Sequence, residues 1–139
     1  MMTQYVCKTF KAPYLPTIGA DFLATDVPIG PRTITLQIWD TAGQDCFQTL
    51  GPIFYRMANC AIIVCASPES IQSIPAWKRE FEAQLLGEVP IFYVLNKADL
   101  PRESREEWTS FEPRFVVSSK TGVGVSEMFG EVVKKVGEL

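Results

Sequence analysis

Asp40 and Asp99 each fall just after a strand-like run, where side chains at strand ends converge on ligands in open α/β sheets. Asp40 lies in Trp39-Asp40-Thr41-Ala42-Gly43-Gln44. A carboxylate there can hold Mg²⁺, usually through water. Gly43 has no side chain, so its N–H can come close to a terminal phosphate. Gln44 stands where an attacking water must be oriented, the catalytic position of a phosphoryl-transfer site. Asp99 closes Asn96-Lys97-Ala98-Asp99. A carboxylate can accept from the ring N–H and the exocyclic amine of guanine. Adenine lacks that donor pair and would leave the carboxylate unsatisfied, at a cost of roughly 1–3 kcal/mol. The stem of Lys97 can cover the base face. Thr17, in Thr17-Ile18-Gly19-Ala20-Asp21-Phe22, offers a hydroxyl that can join Asp40 on Mg²⁺ and sense a terminal phosphate. Any one of these strings also reads as an ordinary polar turn. Their occurrence together, each at a strand boundary, is what carries the reading.

The elements that must place them follow from apolar patterning. Asp21–Val27 and Thr33–Asp40 read as strands of a hairpin turned by Pro28-Ile29-Gly30-Pro31. Ile34, Leu36 and Ile38 alternate with polar residues, which puts Trp39 on the opposite face. The runs at 61–66, 91–95 and 115–117 are apolar on both faces, as in strands covered by helices on each side. Ile74, Trp77, Phe81 and Leu85 recur at helical spacing, as do Met128, Phe129, Val132, Val133 and Val136. Glu103–Phe111 is a weaker helix candidate, and Met1–Phe10 a short helix with Tyr5, Val6 and Phe10 on its apolar face. The expectation is one α/β domain over residues 1–139, mostly parallel and opened by a hairpin.

Composition excludes several other chemistries. The 139 residues hold no histidine for general base work, and the net charge of −3 comes from interspersed charges with no basic stripe for nucleic acid. Four cysteines, at 7, 46, 60 and 65, fit no zinc spacing, and Cys60 and Cys65 read as small buried hydrophobes. No apolar run approaches the ~18 residues of a membrane span, and the first residues are neither signal nor transit peptide. An intracellular, cytoplasmic protein is expected.

With these residues in view, the chain resembles the small GTPases and, among them, the Rab family. Ser118-Ser119-Lys120 is similar to their S-A-K loop, with Ser119 in place of Ala. That loop implies that the Ser119 N–H donates to the guanine carbonyl oxygen. Gln4-Tyr5-Val6, Ala20-Asp21-Phe22, Phe47–Gly51 and Phe54-Tyr55-Arg56 are most similar to the late-endosomal and lysosomal Rab subgroup. The resemblance implies a Ras-like fold with helices on both faces and a GTP/GDP switch in vesicle traffic, with GTP or GDP and Mg²⁺ as ligands. Asn96, Lys97, Asp99, Ser118, Ser119 and Lys120 would then bind guanine, with Thr17, Asp40 and Gly43 at the phosphates and metal. It further implies effectors and regulators that read loops at about Pro13–Asp21 and Gly43–Met57, with Phe22, Trp39 and Phe54 as an aromatic triad. Membrane attachment in the family uses a prenylated C-terminal tail, which this chain lacks, and would place a prenylated form on endosomal or lysosomal membranes.

The sequence also departs from the family. Asp45-Cys46 replaces Glu-Arg, Met57 replaces a Gly, Cys65-Ala66-Ser67 replaces an Asp-bearing strand end, and segments 86–90 and 100–114 read as short. No G-x-x-x-x-G-K-[S/T] occurs; none of the nine glycines precedes a lysine. That motif cradles phosphates with backbone N–H groups. The expectation is a G domain without its first strand and phosphate loop, roughly twenty residues, and so impaired in nucleotide binding. The absent strand would lie between 33–40 and 61–66; either those two strands close the gap, or another segment fills it, or the chain is poorly stable alone. The alternative function is a nucleotide-independent interaction module.

Overall fold

A computed structural model of the protein describes residues 1–12, 15–43, 54–101 and 114–138. Gln44, the Phe47–Gly51 segment and the 103–111 helix candidate lie outside them. The elements run α1 (Met2–Cys7), β1 (Ala20–Ile29), β2 (Arg32–Thr41), β3 (Ala61–Cys65), α2 (Pro68–Gln72), α3 (Ile74–Glu82), β4 (Ile91–Leu95), β5 (Arg114–Val116) and α4 (Val125–Gly137).

β1 and β2 form an antiparallel hairpin in which Ile29 faces Arg32. The turn is therefore tighter than the sequence implied, only Gly30 and Pro31. Gly30, at φ +55°, supplies the left-handed conformation that two-residue hairpin turns require. β3, β4 and β5 form a parallel sheet in that order. The β4 side chains divide between two layers. Phe92 and Val94 join Val125, Met128, Phe129, Val132 and Val133 of α4, while Tyr93 and Leu95 join Ile71 and Ile74 of α2 and α3. Helices thus cover both faces, as a strand apolar on both sides demands.

The expected gap between β2 and β3 takes a definite form. Among the described residues the sheet is in two parts, and β2 and β3 do not pair. Side chains bridge the parts instead of backbone. Leu36 of β2 lies in the same cluster as Phe92, Val94 and α4, with Met1, Tyr5 and Ile62 packed against it. Tyr5 stacks on Phe129 at 4.0 Å. At the far end of the hairpin, the Arg32 guanidinium donates to the Gly137 carbonyl at 3.1 Å.

Two helix boundaries differ from expectation. α1 ends at Cys7, with Lys8 left-handed at φ 54°, and Phe10 is exposed beyond it. α2 is an additional turn. Pro68 occupies its first position, Ser67 accepts from the Ser70 N–H, and Ser70 Oγ accepts from the Ser67 N–H at 2.8 Å.

Gly124 opens α4 at φ +72°, and a Cβ there would meet the Val116 carbonyl at 2.7 Å. Gly124→Ala should destabilise the fold by about 2 kcal/mol or more, from left-handed strain plus that clash, read as a lower urea midpoint at unchanged slope. An unshifted midpoint would show that this corner relaxes freely. Burial pushes the Cys60 thiol from 9 up to about 11. The folded protein keeps a proton that the unfolded chain releases near pH 9, so this contribution is complete below pH 9 and vanishes as pH rises through 11. Stability should fall by at most about 3 kcal/mol across that window, and Cys60→Ala should flatten the fall. Urea titrations from pH 8 to 11 measure both.

Candidate functional site

β4 and β5 run parallel and adjacent, so the loops after them leave the same end of the sheet side by side. The backbone joins them first, the Ala98 N–H donating to the Val117 carbonyl at 3.0 Å. Side chains complete the joint. Ser118 Oγ donates to Asp99 Oδ1 at 2.6 Å and accepts from the Thr121 N–H at 3.1 Å. The Ser119 N–H and Oγ both donate to Asn96 Oδ1, at 2.9 and 3.0 Å. Ser118 is 1% exposed and Ser119 6%, whereas Lys97, Asp99 and Lys120 face outward. The buried Ser118 hydroxyl thus holds an exposed carboxylate in place, and Ser119 holds the Asn96 amide. Lys97 sits at φ 60°, a left-handed position rare for a residue with a side chain, and its carbonyl accepts from the Leu100 N–H at 3.0 Å.

The structure brings Asn96, Asp99, Ser118 and Ser119 together as the sequence implied. It differs in one bond. The Ser119 N–H, expected to point at a guanine carbonyl, is engaged by the Asn96 side-chain oxygen.

Thr17 and Asp40 also meet, Thr17 Oγ1 donating to Asp40 Oδ2 at 2.9 Å. The hairpin positions Asp40 at its open end, and the Ala42 N–H donates to the Gly19 carbonyl at 2.9 Å, tying the Thr17 loop to the end of β2. A hydroxyl and a carboxylate are hard oxygen donors that suit Mg²⁺. Among the described residues no group of three or more His, Cys, Asp or Glu could hold a metal. A cation at this pair would therefore take its other ligands from water or phosphate, the usual habit of Mg²⁺. Gly43 is exposed, with open space where a Cβ would stand.

On the outer face of the hairpin, Trp39 lies between Phe22 and Phe54, with ring centroids 4.6 Å apart on each side. Trp39 is 48% exposed and Phe22 41%, so these rings are a surface stack and not core.

Two contacts had no signal in the sequence. The Gln4 amide of α1 sits against Gly122, where a Cβ would come within 2.8 Å of Gln4 Nε2. Thr121 braces Ser118 through its backbone. Neither residue type announces a loop brace.

The Ras family model matches residues 1–138. The chain belongs to the Ras family. Within that family its relatives are Rab proteins. The Ras-related protein Rab7 of Drosophila melanogaster is 38% identical over 153 residues, covering all of this chain and 74% of that protein. The Ras-related protein Rab-7b of Paramecium octaurelia is 38% identical over 149 residues, 96% of this chain and 72% of the relative. The Ras-related protein Rab7 of Pisum sativum is 37% identical over 151 residues, 96% of this chain and 73% of the relative. This is a Rab-type small GTPase domain of the Rab7 subgroup, as the motif resemblance implied. Family members bind GTP or GDP with Mg²⁺ and hydrolyse GTP.

Ser118→Ala removes a donor to Asp99 and an acceptor for the Thr121 N–H from a buried position. It should cost about 1.5–3 kcal/mol, as for a hydrogen bond to a charged group, measured by urea unfolding. A change within error would mean that Asp99 is held by other contacts.

Proposed function

We propose that this chain works as a guanine-responsive Rab switch module in vesicle traffic on the late endocytic pathway. The observation that carries the proposal is the convergence of Asn96, Asp99, Ser118 and Ser119 through three hydrogen bonds, from 2.6 to 3.0 Å long, between loops 96–99 and 118–121. Asp99 accepts the ring N–H and amine of guanine, Lys97 and Lys120 flank the base, and the buried Ser118 keeps the carboxylate aimed. Thr17 and Asp40 serve the metal, with Gly43 at the terminal phosphate. Gln44 orients the hydrolytic water; its role follows from its place in the motif. Phe22, Trp39 and Phe54 offer effectors an exposed aromatic stack, and aromatic anchors of this kind dominate binding energy at interfaces. Endosomal or lysosomal membranes are the place of action for a prenylated form.

The 139 residues contain no G-x-x-x-x-G-K-[S/T], so the chain supplies base contacts without the backbone cradle that grips phosphates. Weak nucleotide binding with retained base selectivity follows, as does hydrolysis no faster than about 10⁻⁴ to 10⁻² s⁻¹. The same missing motif favours a second reading, a nucleotide-independent interaction module that uses the aromatic stack alone.

Calorimetric titration of the 139-residue chain with GDP, GTP and ADP tests the first reading. Guanine nucleotides should bind more weakly than low micromolar yet better than ADP, and Asp99→Asn should move the preference toward xanthine nucleotides. Equal binding of GDP and ADP, or a guanine preference untouched by Asp99→Asn, would discard the base site and leave the interaction module standing.

A further inference from the structure

We propose that the Ser119 hydroxyl is a positioning group for base recognition, one that keeps a donor on Asn96 when a purine 6-carbonyl competes for the Ser119 backbone N–H. The proposal rests on the guanine reading of loops 96–99 and 118–120.

One amide oxygen, Asn96 Oδ1, receives both the N–H and the O–H of Ser119, at 2.9 and 3.0 Å. An sp² oxygen has two lone pairs, so both donors are held at once. Their freedom differs. The N–H direction is set by the backbone, which Ser118 fixes in turn: its N–H donates to the Val123 carbonyl at 2.9 Å, and its carbonyl accepts from the Gly122 N–H at 2.8 Å. The hydroxyl rotates about its own bond and can follow the amide through small shifts. Asn96 is anchored independently, its N–H donating to the Cys65 carbonyl at 2.7 Å.

A base carbonyl entering this corner therefore competes with Asn96 Oδ1 for the N–H. With serine at 119 the amide oxygen keeps one donor from this residue when the N–H is taken. With alanine, the residue of the family's S-A-K loop, it would lose that donor as well. The hydroxyl lowers the penalty for handing the N–H to the ligand, and it acts only for bases that carry a good acceptor at position 6.

That dependence separates positioning from mere packing. Guanosine and 6-thioguanosine present the same donors to Asp99, but sulfur is the weaker acceptor at position 6. Nuclear magnetic resonance titrations of the 139-residue chain should show a preference for guanosine over 6-thioguanosine. Ser119→Ala should shrink that preference roughly two- to tenfold, the worth of one hydrogen bond. Ser119→Cys, similar in shape but a weak donor, should behave like alanine and guards against loss of fold. Equal weakening of both nucleosides, an unchanged ratio, or a wild-type ratio in Ser119→Cys would overturn the positioning role while leaving the base site intact. Failure of the unaltered chain to prefer guanosine to adenosine would overturn the base site and this role together.

Discussion

The arrangement of the corner formed by loops 96–99 and 118–121 depends on the parallel pairing of β4 with β5. Their register sets Leu95 opposite Val116, so the two loops that follow emerge at one level and can be stitched together. The stitches are short-range and polar, and they are partly buried, their serine ends fully so, where an unmade hydrogen bond is costly. Ser118 holds Asp99 and Ser119 holds Asn96. Neither serine touches solvent appreciably. The outward-facing residues can then remain polar and exposed without becoming mobile, because the inward-facing ones take up their orientation.

The hairpin is positioned by a different physics. Its inner residues, Leu36 with Ile34 and Ile38, pack into the same cluster as β4 and α4, but no ladder joins β2 to β3 among the described residues. Backbone pairing at a sheet's centre gives directionality that apolar contact lacks. Orientation here comes from Arg32 on Gly137 at the turn end, and from packing against the cluster in which Tyr5 of α1 stacks on Phe129 of α4.

Most of this was legible in the sequence where a single periodicity governs. Alternation along Thr33–Asp40 set Trp39 outward, and it is outward, sandwiched by Phe22 and Phe54. Doubly apolar runs implied strands with helices on both sides, and β4 divides its side chains accordingly. What resisted reading depends on three-dimensional accident. Nothing in Ser118-Ser119-Lys120 tells that the second serine will turn both its donors onto Asn96, since that needs the neighbouring strand's register. The Ser67–Ser70 capping pair was hidden because its N3 residue is Ser70, where the sequence signature of a capping box has Glu or Gln. The early end of α1 is equally local, set by the left-handed Lys8.

The division of the sheet bears on how a switch in this molecule would work. Asp99 and its braces stand on loops after the three-stranded part, whereas Asp40 stands on the hairpin, with Thr17 of the preceding loop bonded to it. A change at the metal pair that shifted the hairpin would break no bonds of a ladder with β3, because none join them there. It would instead disturb side-chain packing around Leu36, Tyr5 and Phe129, contacts individually weak and tolerant of small displacement. The base corner, held by directional bonds, would feel little of it. The aromatic stack would feel all of it, since Trp39 and Phe22 are carried on the two strands of that hairpin. Under the proposed reading, movement at the Thr17–Asp40 pair would reach the aromatic stack more directly than it would reach loops 96–99 and 118–121, which is the ordering a switch requires: the base would identify the ligand, and the hairpin would report its state.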